Sequence, residues 1–77
     1  MAKTLRELRE DALLTQIELA ERVGIPYQRI GEWERGQFSP RPATRRKLCE
    51  ALGVAPAELM DALRATAEEA SKSEAAA

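Results

Sequence analysis

Histidine is absent from this chain and cysteine occurs once, as Cys49. Metal clusters of the Cys/His type, imidazole-based catalysis and a disulfide framework therefore lack raw material. Cys49 reads as a small buried side chain in a reducing compartment, not as a reactive thiol. Long apolar runs are missing as well, which excludes a membrane span, and the start MAKTLREL has no hydrophobic signal segment. A cytoplasmic location is expected. There is no strand-like alternation and no internal repeat. No nucleophile stands paired with a base and the carboxylates are scattered over polar faces, so the pattern predicts no enzyme, no cofactor and no metal. With 77 residues the chain has room for one small domain, whose core is marginal unless its helices are well capped or it oligomerises.

Charge is plentiful, and its distribution matters more than its sum of −1. From Arg29 to Lys47, six cations (Arg29, Arg35, Arg41, Arg45, Arg46, Lys47) face two carboxylates (Glu32, Glu34), a local balance of +4. After Lys47, Arg64 and Lys72 face Glu50, Glu58, Asp61, Glu68, Glu69 and Glu74, a balance of −4. Such stretches can be plain solvated helix faces. A middle so basic would equally suit a phosphate backbone.

Capping and stop signals divide the chain into five helices. Thr4 with Glu7 is a capping-box pattern and, with an apolar stripe of Leu5, Leu8 and Leu13, predicts a first helix from about Leu5 to Asp11 or Ala12. Thr15 with Glu18 repeats the pattern and opens a second helix that Gly24 closes. Pro26 starts a third, ended by Gly36 after Arg35; 37–41 is loop. Pro42 starts a fourth carrying Leu48, Ala51 and Leu52 up to Gly53. Pro56 starts a fifth, with Leu59, Met60 and Leu63 as its inward stripe. Residues 1–63 form the expected domain. Residues 64–77 are an acidic, alanine-rich tail without large apolar side chains, expected to extend the fifth helix briefly and then to be disordered.

The segment QIELAERVGIPYQRIGEWER, 16–35, has the spacing of a helix-turn-helix. Ala20 is small where the two crossing helices approach, and Gly24 permits the positive φ that the turn needs. Ile30 and Trp33, three apart, share the inner face; Gln28, Gly31, Glu32 and Arg35 then turn outward. Gly31 reads either as a tolerated glycine or as room for a close approach by a partner.

With these pieces in place, the chain resembles the xenobiotic-response-element family of helix-turn-helix regulators, which includes lambda-type repressors and Cro proteins. The resemblance rests on LTQIELA (14–20), Gly24, Ile30, WERG (33–36), Pro40 and ALGV (51–54). It implies an all-α, compact five-helix, lambda-repressor-like domain whose third helix lies in the major groove of duplex DNA. By the same resemblance, base contacts fall on Pro26, Tyr27, Gln28 and Glu32. Gln28 suits an adenine edge and Glu32 a cytosine amino group, and Tyr27 could meet a thymine methyl or a phosphate. Phosphate contacts fall on Gln16, at a helix N-terminus, and on the charged partners Arg29, Arg35 and Arg41, with Arg45 either joining them or snorkelling from the core edge. Arg9 and Glu34 match positions that pair. Four positions depart from the family pattern: Leu13 stands at a frequent glycine, Pro26 and Arg41 at common caps, and Arg45 at an apolar site.

The function so implied is a sequence-specific regulator, a repressor binding a palindromic operator as a homodimer through the fifth helix, with Met60 and Leu63 as candidate contacts. The alternative is a protein-interaction module, an antitoxin or adaptor whose acidic tail folds on a partner protein.

Overall fold

The computed structural model describes residues 2–76, with side chains as far as Lys72; Met1 and Ala77, the outer limits of the two expected segments, lie outside the described residues. Five helices follow one another: α1 (Leu5–Asp11), α2 (Gln16–Val23), α3 (Tyr27–Glu34), α4 (Pro42–Leu52) and α5 (Pro56–Ala76). Both capping boxes are formed. The Thr4 hydroxyl accepts from the Glu7 N–H while the Glu7 carboxylate accepts from the Thr4 N–H, and Thr15 and Glu18 do the same at α2. Pro26 and Arg41 occupy the N-cap positions of α3 and α4 and bring no side-chain acceptor. The third helix therefore begins one residue later than its proline suggests.

The helices pack around one centre. The five largest fully buried side chains are Leu5, Leu19, Ile30, Leu48 and Leu59, one from each helix. Ala20, Val23 and Trp33 close the space between α2 and α3. No single helix can bury its stripe alone, so the core exists only when all five are docked.

Two apolar side chains sit where the sequence pattern did not put them. Leu13 was expected on the α1 stripe, yet it is 88% exposed with φ of +59°. It takes the left-handed position after α1 that Gly24 takes after α2, and the Leu14 N–H behind it bonds the Arg9 carbonyl at 3.2 Å. Met60 is exposed as well. The inward face of α5 is carried by Leu59, Ala62 and Thr66, with Leu63 half-buried.

Beyond Arg64 the segment continues α5 and packs on the domain. The Thr66 hydroxyl accepts from the Leu5 N–H at 2.9 Å and donates to the Ala62 carbonyl at 2.7 Å, both buried. It satisfies one of the free amides at the start of α1. Gly36, at φ +74°, lies so close to α5 that a Cβ there would stand 2.7 Å from the Ala70 Cβ. Alanines too small to make a core thus let α5 lie against the end of α3. Cys49 is half-buried, and burial first, then the Glu50 charge, pushes its thiol up.

Candidate nucleic-acid interface

Helix α3 is anchored on one side and open on the other. Ile30 and Trp33 point into the core, Tyr27, Gln28 and Arg29 are exposed, and Glu32 is half-buried. At 3.6 residues per turn, Arg35, Gln28, Glu32 and Arg29 succeed one another over about 120° of the helix surface. Gln28 and Glu32, the two side chains expected at base edges, thus lie between two cations. Arg29, itself exposed, reaches the half-buried Glu32 at 3.6 Å and holds the carboxylate beside a positive charge.

A groove runs along each flank of α3. On the Arg29 side, Pro26, Arg29, Phe38, Ser39, Arg41 and Thr44 line one that joins the helix to the following loop and to the start of α4. On the Arg35 side, Arg6, Arg9, Gln16, Gly31, Glu34 and Arg35 line another, where α1, α2 and α3 meet. The sequence pattern singled out neither Phe38 nor Arg6. An exposed aromatic in a loop, or an arginine on an amphipathic helix, carries no signal until the fold places it.

Arg45 goes elsewhere. It is half-buried in a third, mainly apolar groove with Pro42, Cys49, Pro56, Leu59 and Met60, apart from the other expected phosphate contacts. Gly31 needs a correction too: it does not face outward but is buried beneath the side chains of Arg35 and Gln16. A residue with no side chain of its own is covered by whichever long neighbours lean across it.

Arg9 and Glu34 do pair. The Arg9 Nε donates to Glu34 Oε2 at 2.6 Å, Nη2 to Oε1 at 3.2 Å, and Nη1 to the Leu14 carbonyl at 2.9 Å. Gln16 Nε2 donates to the same Oε1 at 3.1 Å. Side-chain exposures of 12% for Arg9 and 6% for Glu34 make this a largely dry junction of α1, α2 and α3. The bond to Glu34, against an opposing effect of burial, holds the Arg9 guanidinium above its ordinary value. Among the described residues no buried side-chain polar atom lacks a hydrogen-bond partner.

The sequence model of a helix-turn-helix family matches residues 5–59, the stretch that holds α1 to α4 and the first residues of α5. The chain belongs to the Cro/C1-type family of helix-turn-helix DNA-binding regulators. A relative from Methanothermobacter thermautotrophicus named as an uncharacterized HTH-type transcriptional regulator is 43% identical over 53 residues, which are 69% of this chain and 77% of that protein. No solved structure matches. In this Cro/C1-type chain the matched stretch contains both cationic flanks of α3, whereas the contact of Thr66 with α1 lies beyond it. Among the described residues, no helix is long and apolar enough to cross a membrane.

Proposed function

We propose that this chain is a sequence-specific double-stranded DNA-binding repressor that acts as a homodimer on a twofold-symmetric operator. The observation that carries the reading is the face of α3, where Gln28 and Glu32 are flanked by Arg35 and Arg29 and then by two grooves containing further cations. Phosphates fix the register of a protein on the duplex and side chains at base edges supply sequence information. Tyr27, Gln28 and Glu32 reach base edges, with Pro26 at the helix start. Gln16, Arg29, Arg35 and Arg41 hold the backbones on either side. Arg45, half-buried in the groove between α4 and α5, snorkels from the core edge and adds to the positive field.

One α3 reads only a few base pairs, so a useful site requires two copies about one helical turn apart, ~34 Å. Exposed Met60, beside the apolar groove between α4 and α5, offers a surface for the second copy. The relative's name as a transcriptional regulator supports the assignment to gene control.

Selection of binding sequences from a random duplex library tests the reading. The wild-type chain should enrich a symmetric motif, and Gln28→Ala and Glu32→Ala should each lose preference at defined positions by about 1–3 kcal/mol. Failure to enrich any duplex at low salt, or an unchanged motif in both variants, would overturn it.

A further inference from the structure

The structure assigns an occupant to the apolar groove between α4 and α5: the exposed apolar pair Leu13 and Ile17, at the turn from α1 to α2, of a second copy of this chain. The assignment rests on the homodimer proposed above and names the surface that faces the groove. It turns on a leucine that stands where the family frequently has glycine, so it belongs to this chain and not to the family at large.

Leu13 is unfavourable twice over. It is 88% exposed, and its φ of +59° lies in the left-handed region that costs a leucine and suits a glycine. The side chain takes no part in the core, so nothing in its own fold offsets that cost. Strain kept at an exposed apolar residue points to a task outside the chain that carries it. Four positions on, Ile17 is 54% exposed in the first turn of α2. The groove has the matching shortage. It measures about 290 Å³, and Cys49, Pro56, Leu59 and Met60 give it a mainly apolar lining that no side chain of this chain fills. A cavity of roughly 150 Å³ admits a benzene-sized group, so a leucine side chain enters with room to spare.

Charge selects the occupant. Residues 10–21 carry Glu10, Asp11, Glu18 and Glu21 and no cation, so the apolar pair is set among carboxylates that repel a phosphate backbone. Glu10 and Asp11 reach Arg6 and Lys3 in exposed pairs that hold little energy, and Glu21 makes no ion pair among the described residues. The groove is edged by Arg45 and Arg46, which make none either. An apolar tip with an acidic collar thus matches an apolar slot with a basic rim, and one chain carries both. In a twofold dimer the contact is made twice, the pair of each copy entering the groove of the other.

Sedimentation of the full chain over a concentration series tests the contact. The wild type should dimerise. Leu13→Gly with Ile17→Gln removes the pair, and Met60→Glu spoils the groove; all three positions are exposed, so the fold survives each change. Each variant alone should associate roughly 10- to 100-fold more weakly, the loss that follows when one apolar side chain is no longer buried. Mixed in equal amounts, the two variants should associate more tightly than either does alone, because one intact pair then meets one intact groove. Alkylation of Cys49, which lines the groove, should slow as the wild-type concentration rises and should not do so for either variant. A wild-type dimer whose affinity both variants match, or a mixture no tighter than its components, would overturn the contact and leave the homodimer standing. A wild-type chain that stays monomeric throughout would overturn both.

Discussion

Removing Glu34 should be among the most damaging single changes in this protein, and removing Arg9 with it should undo most of the damage. Glu34→Ala deletes the oxygens that accept from Arg9 at 2.6 and 3.2 Å and from Gln16 at 3.1 Å. The guanidinium is left in a site where its side chain is only 12% exposed. Stranding one member of a buried pair costs about 3–5 kcal/mol. Arg9 keeps its bond to the Leu14 carbonyl at 2.9 Å and some contact with water, which brings the expected cost to about 2–4 kcal/mol. Against a total stability of roughly 4–12 kcal/mol for a chain of 77 residues, that is a large share. Replacing both residues by apolar ones of similar size, Arg9→Met with Glu34→Leu, leaves no buried charge and should cost under about 1 kcal/mol. Urea unfolding followed by the fluorescence of Trp33, the single tryptophan and the neighbour of Glu34 in sequence, measures the four corners of the cycle: wild type, Arg9→Met, Glu34→Leu, which strands Arg9 as Glu34→Ala does, and the pair. The expected coupling is at least about 2 kcal/mol. Additive single effects, or a Glu34→Ala cost under about 0.5 kcal/mol, would refute the account of the junction.

Four further outcomes are expected. Leu13→Gly should raise stability by about 0.5–1 kcal/mol, since a left-handed leucine costs roughly 1–2 kcal/mol and glycine returns part of that as chain entropy; thermal unfolding reads it as a higher melting temperature, and a decrease would contradict the strain. Thr66→Val keeps the shape but strands the Leu5 N–H, at a cost of about 1–3 kcal/mol in chemical denaturation. Gly36→Ala should destabilise strongly because its methyl meets the Ala70 Cβ at 2.7 Å, and adding Ala70→Gly should recover the steric part but not the backbone part; no recovery would place the cost in φ alone. The Thr15 N–H, and then the Thr15 hydroxyl, holds the Glu18 carboxylate below its ordinary 4.5. A depressed carboxylate stabilises the fold above its unfolded pKa and loses that contribution as pH falls through the folded one. The wild type should therefore lose more melting temperature than Glu18→Gln as the pH drops below about 4.5, and parallel curves would deny the linkage.

Much of this architecture could be read from the chain because local rules and packing agree at its joints. Thr4 with Glu7, Thr15 with Glu18, and Gly24 name helix ends through hydrogen bonds made within a few residues, and those bonds are present. The misreadings have a common physical source. Leu13 is apolar, and apolar spacing placed it inward, whereas the backbone needed a left-handed residue there and the side chain followed. Met60 was placed on the inward stripe by its apolar character, whereas the buried face of α5 runs through Leu59 and Ala62 and leaves Met60 exposed. Gly31 has no side chain to assign to a face, and its burial comes from Arg35 and from Gln16, the latter fifteen residues away in sequence. Of the candidate interface, the outward turn of Gln28 and Glu32 was legible from spacing, whereas the contact roles expected of the α3 residues and of Arg41 came from the family resemblance. Arg6, Phe38 and the place of Arg45 depend on how whole helices cross, which no local pattern records.

The bond from Leu5 to Thr66 spans 61 positions and joins the first helix to the last. Sixty-one positions separate the partners, so a growing polypeptide carries α1 to α4 before Thr66 can lock α1. Shortening the chain to residue 63 would leave every residue of α3 in the sequence and still unlatch α1, and with it Arg6 and Arg9. A protease trimming inward from residue 76 would therefore loosen the packing of α1 without touching α3, and the lifetime of those last turns would set how long the first helix stays docked.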